Sequence, residues 1–198
     1  MPRHPSSSVK RVTSDNAAPS TPPATPTASA ELKRLLTEIP DFPKPGILFR
    51  DVAPVFADGP AFRVIVDEIV TRFSGRFDAV AGVEARGFVL AAAAAYATGT
   101  GLLVVRKAGK LPGEVIAESY DLEYGTATLE LEPNQLAPGA RVLVLDDILA
   151  TGGTLRAAAS LIERAGYTVA GIGVLFELAE LEGRAKLAGY DTEVLLAE

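Results

Sequence analysis

The 198-residue chain contains no cysteine and no tryptophan, and its one histidine is His4. The missing thiols exclude disulfides, a cysteine nucleophile and thiolate zinc sites in one step, and they fit a reducing, cytoplasmic setting. A single histidine in a stretch with little to fold around excludes a Ser-His-Asp triad and a histidine general base. An excess of positive charge is lacking as well. Lys and Arg number 19 against 25 Asp and Glu, for a net charge of −6, which argues against a general binder of the nucleic-acid backbone. Any chemistry must rest on carboxylates, Lys, Arg, hydroxyls, backbone amides and a hard metal ion.

No hydrophobic run survives as a membrane span. Phe88 to Val105 is uncharged and reaches the lower length limit for a spanning helix. Thr98-Gly99-Thr100-Gly101 breaks it into an Ala-rich helix and a Leu-Val strand, each sized for a buried element of an α/β core.

Residues 1–29 hold six prolines and many Ser, Thr and Ala, with only Val9 and Val12 as branched aliphatics. Such a segment cannot bury enough to offset its ordering, so the reading is a disordered extension, with residues 30–198 as one domain. Arg3, Lys10 and Arg11 give it a faint likeness to a transit peptide, without an amphipathic face.

From Ala30 onward, Leu32, Leu35, Leu36 and Ile39 have helical spacing until Pro40. Phe62, Ile65, Val66, Ile69, Val70 and Phe73 mark a second helix after Asp58-Gly59-Pro60. Strands and helices then alternate: strand 78–83, helix 87–98, strand 102–106, strand 142–145, helix 154–165 and strand 168–176. That order predicts an α/β fold with a central parallel sheet flanked by helices. Between Lys107 and Ala140 the pattern turns to an antiparallel excursion around Thr126 to Glu132, preceded by a loop near Ala108 to Glu118 that reads as a lid.

The most informative stretch is Val142-Leu143-Val144-Leu145-Asp146-Asp147-Ile148-Leu149-Ala150-Thr151-Gly152-Gly153-Thr154. A buried strand ends in two acids, and a glycine turn opens a helix. Ligands of open α/β sheets sit at that carboxyl end. Gly152 and Gly153 let the backbone approach a ligand, and successive N–H groups with the Thr151 and Thr154 hydroxyls suit a phosphate. Asp146 and Asp147 are too costly to bury unpaired, so they call for hydroxyls, cations or water. The competing reading is an Asp that merely caps the helix beside a generic turn. Rival phosphate motifs fail, because Gly82 to Gly87 is followed by Phe88 rather than Lys, and no G-x-G-x-x-G opens a helix after a strand.

These residues resemble the signature of the phosphoribosyltransferase family, in the form carried by its adenine-using members. The resemblance extends in order through Asp41-Phe42-Pro43-Lys44-Pro45-Gly46-Ile47-Leu48-Phe49-Arg50-Asp51, Glu84-Ala85-Arg86-Gly87-Phe88, Arg106-Lys107-Ala108-Gly109-Lys110-Leu111-Pro112 and Tyr120-Asp121-Leu122-Glu123-Tyr124-Gly125. It covers the chain from about Glu31 to near its C-terminus. The family implies a type I phosphoribosyltransferase fold with an antiparallel flap or hood. It implies conversion of adenine and phosphoribosyl pyrophosphate to AMP and pyrophosphate, with Mg²⁺ held mainly by substrate oxygens and water, in a homodimer that needs no nucleic acid or membrane.

The same resemblance distributes roles. Asp146 and Asp147 would hold the ribose hydroxyls, and Ala150, Thr151, Gly152, Gly153 and Thr154 the 5-phosphate. Glu123 would move the proton at the purine imidazole ring, Phe49 would stack on the base between main-chain contacts at Leu48 and Arg50, and Leu178 would close its far side. Arg86 would add a bidentate phosphate binder, and Arg106, Lys107 and Lys110 a basic loop for pyrophosphate, with Arg106 reaching the neighbouring subunit's site. Sequence alone leaves Phe49 between stacking platform and core residue, Glu123 between catalyst and exposed strand glutamate, and Arg86 and the basic loop between ligands and solvated surface. Two rival functions stand beside the main one: a relative acting on another base, and a non-catalytic sensor of phosphoribosyl pyrophosphate. A sensor that regulates transcription would want a DNA-binding segment, which the acidic domain and Pro-rich tail do not offer.

Overall fold

A computed structural model describes residues 26–121 and 125–198. Residues 1–25 of the tail expected over 1–29, and Glu123 with its two neighbours, lie outside the described residues. Helical structure is already present at Ala28 and Ser29, inside the expected tail. Thr27 caps a helix α1 (Ala28–Leu35) by accepting the Ala30 N–H, and Ala28 is fully buried.

The helix expected to run to Pro40 stops at Leu35. Thr37–Pro40 forms strand β1 instead, antiparallel to β2 (Leu48–Asp51) with Ile39 opposite Phe49 and Pro40 opposite Leu48. Pro40 pushes the residue before it into extended backbone, and the branched Thr37 and Ile39 favour a strand once β2 supplies a partner. After a short α2 (Ala53–Ala57), α3 (Gly59–Arg72) starts on the Asp58 side chain, which accepts from the Ala61 N–H, with Pro60 in the first turn.

The main sheet has seven strands. β3 (Ala79–Val83), β4 (Gly101–Lys107), β7 (Arg141–Leu149), β8 (Thr168–Glu177) and β9 (Thr192–Ala197) are parallel, and β5 (Ile116–Asp121) and β6 (Thr126–Leu131) extend it antiparallel beyond β4. The order across the sheet is β5-β6-β4-β3-β7-β8-β9. The expected parallel sheet and antiparallel excursion are therefore present, and β5 takes up the end of the expected lid, leaving 108–115 as loop. β1, β9 and two 3-10 turns, Ala179–Leu181 and Gly183–Leu187, lie outside the periodic segments.

Alternating side chains of β7 face two cores. Leu143 and Leu145 join α1, α3 and the helix α4 (Arg86–Thr98) on one side, whereas Val142 and Val144 join α5 (Gly153–Arg164) on the other. The chain thus leaves β3 toward one face and β7 toward the other. Between these adjacent strands lies the crevice at which open α/β sheets bind ligands. β7 pairs with β3 only as far as Leu145 opposite Gly82, so Asp146 is the first residue of β7 beyond the β3 ladder. No described helix is long and apolar enough to cross a membrane.

Candidate active site

Asp146 and Asp147 are 7% and 4% exposed. Asp146 Oδ1 accepts the Asp147 N–H at 2.9 Å. Burial, reinforced by the neighbouring Asp147 charge, holds the Asp146 carboxyl well above the usual carboxylate range. Burial raises Asp147 too, against the pull of the Arg86 guanidinium. Arg86 Nε lies 2.9 Å from Asp147 Oδ2, but not in line for a hydrogen bond, and that oxygen is buried without one. The pair is therefore short of donors, as a site for sugar hydroxyls or a cation would be.

Arg86 is the first residue of α4, and the next residue sets how closely that helix approaches the acids. A Cβ at Gly87 would lie 2.6 Å from the Leu145 carbonyl oxygen and 3.1 Å from Asp146 Oδ1, so only glycine lets the first turn rest on the end of β7. Arg86 then spans two parts of the site. Its guanidinium carbon stands 5.5 Å from the centroid of Phe49 while its Nε faces Asp147. Phe49 is half-buried, with Phe42 packed edge-on at 5.1 Å and 72°.

Beyond the acids, Ala150–Thr154 curls around a cleft of about 230 Å³ that Asp146, Ile148 and Leu181 also line. Gly152 has φ of +75° and heads α5. The floor of this loop is another stretch of backbone. A Cβ at Gly152 would fall 2.4 Å from the Gly183 carbonyl oxygen, and one at Gly183 would fall 2.0 Å from the Ala150 carbonyl oxygen. Arg184, next in the chain, fixes that floor by donating from Nε to both carboxylate oxygens of the buried Glu177, at 2.8 and 3.0 Å.

The basic loop is anchored at its base. Glu84 Oε2 accepts the Lys107 N–H at 3.0 Å and lies 3.5 Å from Arg106 Nε, and these contacts, the Lys107 N–H foremost, hold the Glu84 carboxyl below its ordinary value. Arg106 Nη1 donates to the Lys110 carbonyl oxygen at 3.0 Å, and the Gly109 N–H donates to Glu130 at 2.9 Å. Lys107 and Lys110 are exposed.

Two residues expected at the base, Arg50 through its main chain and Leu178, lie outside this cleft. The Arg50 side chain, only 14% exposed, turns toward Glu38 at 3.0 Å, Glu198 at 3.5 Å and the Phe176 ring at 6.0 Å. Leu178 is half-buried against the core, and its N–H donates to the Leu149 carbonyl oxygen. Leu181, 42% exposed, lines the cleft. The periodicity carries no signal for Leu181, for the Gly183 floor or for Tyr120, whose hydroxyl accepts from Thr154 Oγ1 at 3.3 Å. Among the described residues no cluster of three or more His, Cys, Asp or Glu is set to enclose a metal ion.

Residues 59–197 match the family model for the phosphoribosyl transferase domain. The chain is 67% identical over 174 residues to the adenine phosphoribosyltransferase of Clavibacter michiganensis subsp. michiganensis, covering 88% of this chain and 98% of that protein. Its fold is similar to the crystal structure of adenine phosphoribosyltransferase from Thermoanaerobacter pseudethanolicus, with a TM-score of 0.82, 46% identity, and 86% and 99% of the two chains covered. It is also similar to the Saccharomyces cerevisiae enzyme complexed with an imino-altritol bisphosphate and adenine, with a TM-score of 0.80, 37% identity, and 85% and 98% covered.

Proposed function

The chain belongs to the phosphoribosyltransferase family, and we infer that it is an adenine phosphoribosyltransferase, a pentosyltransferase joining adenine to the ribose 5-phosphate of phosphoribosyl pyrophosphate with release of pyrophosphate. The observation that carries this reading is the Arg86 bridge. One side chain links the buried acids next to the glycine loop with the aromatic Phe49, so a sugar phosphate and a flat base are accommodated side by side.

The reaction breaks the bond between C1 of ribose and a pyrophosphate oxygen and forms one between C1 and a base nitrogen. Positive charge builds on the ribose ring as it does in glycoside chemistry. Asp146 and Asp147 accept from the ribose hydroxyls, which supplies the missing donors and sets negative charge beside the ring. Ala150–Thr154 takes the 5-phosphate on backbone N–H groups and the Thr151 and Thr154 hydroxyls. Phe49 stacks on the base, main-chain groups around Leu48 and Arg50 read its edge, and Leu178 borders it. Glu123 accepts the proton that the base loses. Lys107, Lys110 and Arg106 draw the departing pyrophosphate.

The donor set suits Mg²⁺. An acid pair with a buried unbonded oxygen, and no carboxylate cage among the described residues, fits a cation that draws most of its ligands from substrate oxygens and water, with Asp146 and Asp147 nearby. When bound, it would neutralise charge on the leaving pyrophosphate.

The test of substrate is AMP formation from adenine against hypoxanthine, with phosphoribosyl pyrophosphate and Mg²⁺. A site built for a 6-amino edge leaves polar groups unpaired on the oxo base, so adenine should lead by about tenfold or more in kcat/KM. Equal values would remove the adenine assignment. The functional unit in the cytoplasm is a homodimer in which Arg106 serves the neighbouring site. Coexpressed Asp146→Ala and Arg106→Ala chains should then recover about a quarter of wild-type activity through mixed dimers. No recovery in verified mixed dimers would return Arg106 to its own chain.

A further inference from the structure

β2 is held on its two faces by consecutive residues. Phe49 turns its ring to the Arg86 guanidinium that faces Asp147, and Arg50, next in the strand, turns the other way, toward the body of the fold. Among the described residues, the β1-β2 ribbon shares no ladder with the main sheet. Buried Val52, just past β2, fixes where the ribbon leaves the core but not the angle at which it stands. Arg50 supplies a second fastening. Its guanidinium carbon lies 6.0 Å from the centroid of Phe176, which is buried on β8 opposite Ile148, two residues beyond Asp146 on β7. Nη1 stands 3.0 Å from Oε1 of Glu38, the residue paired with Arg50 across the ribbon, and Nη2 stands 3.5 Å from Glu198 Oε2. Glu198 is itself pinned, because its N–H donates to the Glu177 carbonyl oxygen at 3.1 Å and its carbonyl oxygen accepts the Ala179 N–H at 2.8 Å. Arg50 Nε and Nη1 are buried without a hydrogen bond. Charge and ring contact, rather than directed bonds, therefore seat the cation.

We propose, resting on the reading of Phe49 and the main chain around it as the base site, that the Arg50 side chain is a positioning residue that sets how that site stands over the acid pair. Two anchors on different axes fix a ribbon that one would leave free to pivot. With Arg50 seated on the end of β8, the Phe49 ring is held at the height of Arg86. The N–H and C=O groups of Leu48 and Arg50 then keep one orientation toward the edge of the base. The seat thus brings the sheet end that carries Asp146 and the ribbon that carries Phe49 into one frame. A flat base on an unseated ribbon loses both part of its stacking and the discrimination at its edge. A sugar phosphate, held by the glycine loop, does not depend on the ribbon.

Arg50→Met keeps an apolar stem against Phe176 and removes the charge, so the full chain should fold with an unfolding midpoint near that of wild type. With Mg²⁺ present, it should raise KM for adenine about tenfold, leave KM for phosphoribosyl pyrophosphate within about twofold, and narrow the adenine-over-hypoxanthine ratio in kcat/KM about threefold. A merely structural residue would not move that ratio. Arg50→Lys restores a charge for the same two carboxylates and should recover part, but not all, of both losses. Glu38→Gln is an exposed change on the opposite strand that leaves the guanidinium in place, and it should raise KM for adenine about twofold. Arg141→Met, which breaks an ion pair with Asp78 where β7 begins, at the far end of the sheet, is the control and should leave these kinetic values unchanged. A KM for adenine that neither Arg50→Lys nor Glu38→Gln moves would overturn the proposal, as would an Arg50→Met protein weakened equally for both substrates. Phe49→Ala separates this failure from that of the reading beneath it. If Phe49→Ala leaves KM for adenine at the wild-type value, the base site falls and the Arg50 seat with it; if it raises that KM while the Arg50 variants behave as wild type, the seat alone falls.

Discussion

Around Asp146 and the loop that follows, backbone meets backbone: Gly87 on Leu145, Gly152 on Gly183, Gly153 on Asp121. Around Phe49 the construction is different. Its two-stranded sheet stands apart from the main one, Ile39, Phe42, Ile47 and Leu48 are exposed, and the Phe49 ring is held by one aromatic edge and one guanidinium. The part that would grip the ribose phosphate is built from the core of the fold, where a misplaced methyl group has nowhere to go. The part that would grip the base is a surface attachment whose side chains can change with little effect on the core. Demands common to all sugar-phosphate transfer would thus fall on backbone packed into the core, and binding of the base on a surface attachment.

The sharpest test of this contrast is Asp146→Asn. It should lower kcat by about a hundredfold or more, the scale of losing one preorganised polar group beside a reacting centre. It should also make the protein more stable at neutral pH. Because burial raises its carboxyl, folded Asp146 keeps its proton to higher pH than the unfolded chain does. Its contribution is fully present below about pH 4 and is lost as pH rises through the elevated value. Asn has no such loss, so the variant should unfold at a higher temperature than wild type at pH 7 and at a matching one below about pH 4. A variant that is less stable at both pH values would mean that the acid pair is a structural element rather than a strained functional one.

Gly183→Ala comes next. The added carbon must displace Ala150, so KM for phosphoribosyl pyrophosphate should rise by about thirtyfold, with a loss of about 1–3 kcal/mol in denaturant unfolding from overpacking. KM for adenine should scarcely move. Phe49→Ala should show the reverse pattern with the smallest amplitude: about a tenfold rise in KM for adenine, little change for the sugar phosphate, and an unfolding midpoint near that of wild type. If Phe49→Ala instead weakens both substrates equally, the two regions are not separable and the contrast fails.

The rigid region was also the more legible one. A run of branched aliphatics, two acids and paired glycines is a local pattern, and each residue is explained by its neighbours in the chain. The strand, the crevice, the loop and the helix Gly153–Arg164 followed from it, whereas the helix Gly59–Arg72 followed from its own apolar period. What escaped depends on distant partners. Thr37–Pro40 carries helical spacing from its upstream leucines and becomes a strand only because Leu48–Asp51 lies beside it. Gly183 is one more glycine in a turn until the Ala150 carbonyl is placed against it. Arg50 is read only for its main chain, and the seat of its guanidinium appears once Glu38 and Glu198 are brought around it. Leu181, in a 3-10 turn, reaches the cleft by a change of chain direction that no hydrophobic period encodes.

The glycine floor at Gly183 also bears on the order in which the molecule is made. A chain emerges from the ribosome amino end first and its domains fold largely as units during that process. β7, the phosphate loop and α5 all emerge before the segment that supports the loop from below, since Gly183 follows β8. A nascent chain can therefore pair β3 with β7 and bury much of both cores while Gly152 still lacks the backbone against which it is shaped. Affinity for a sugar phosphate would then be acquired near the end of synthesis, because a chain that ends before Gly183 lacks the backbone against which Gly152 is shaped.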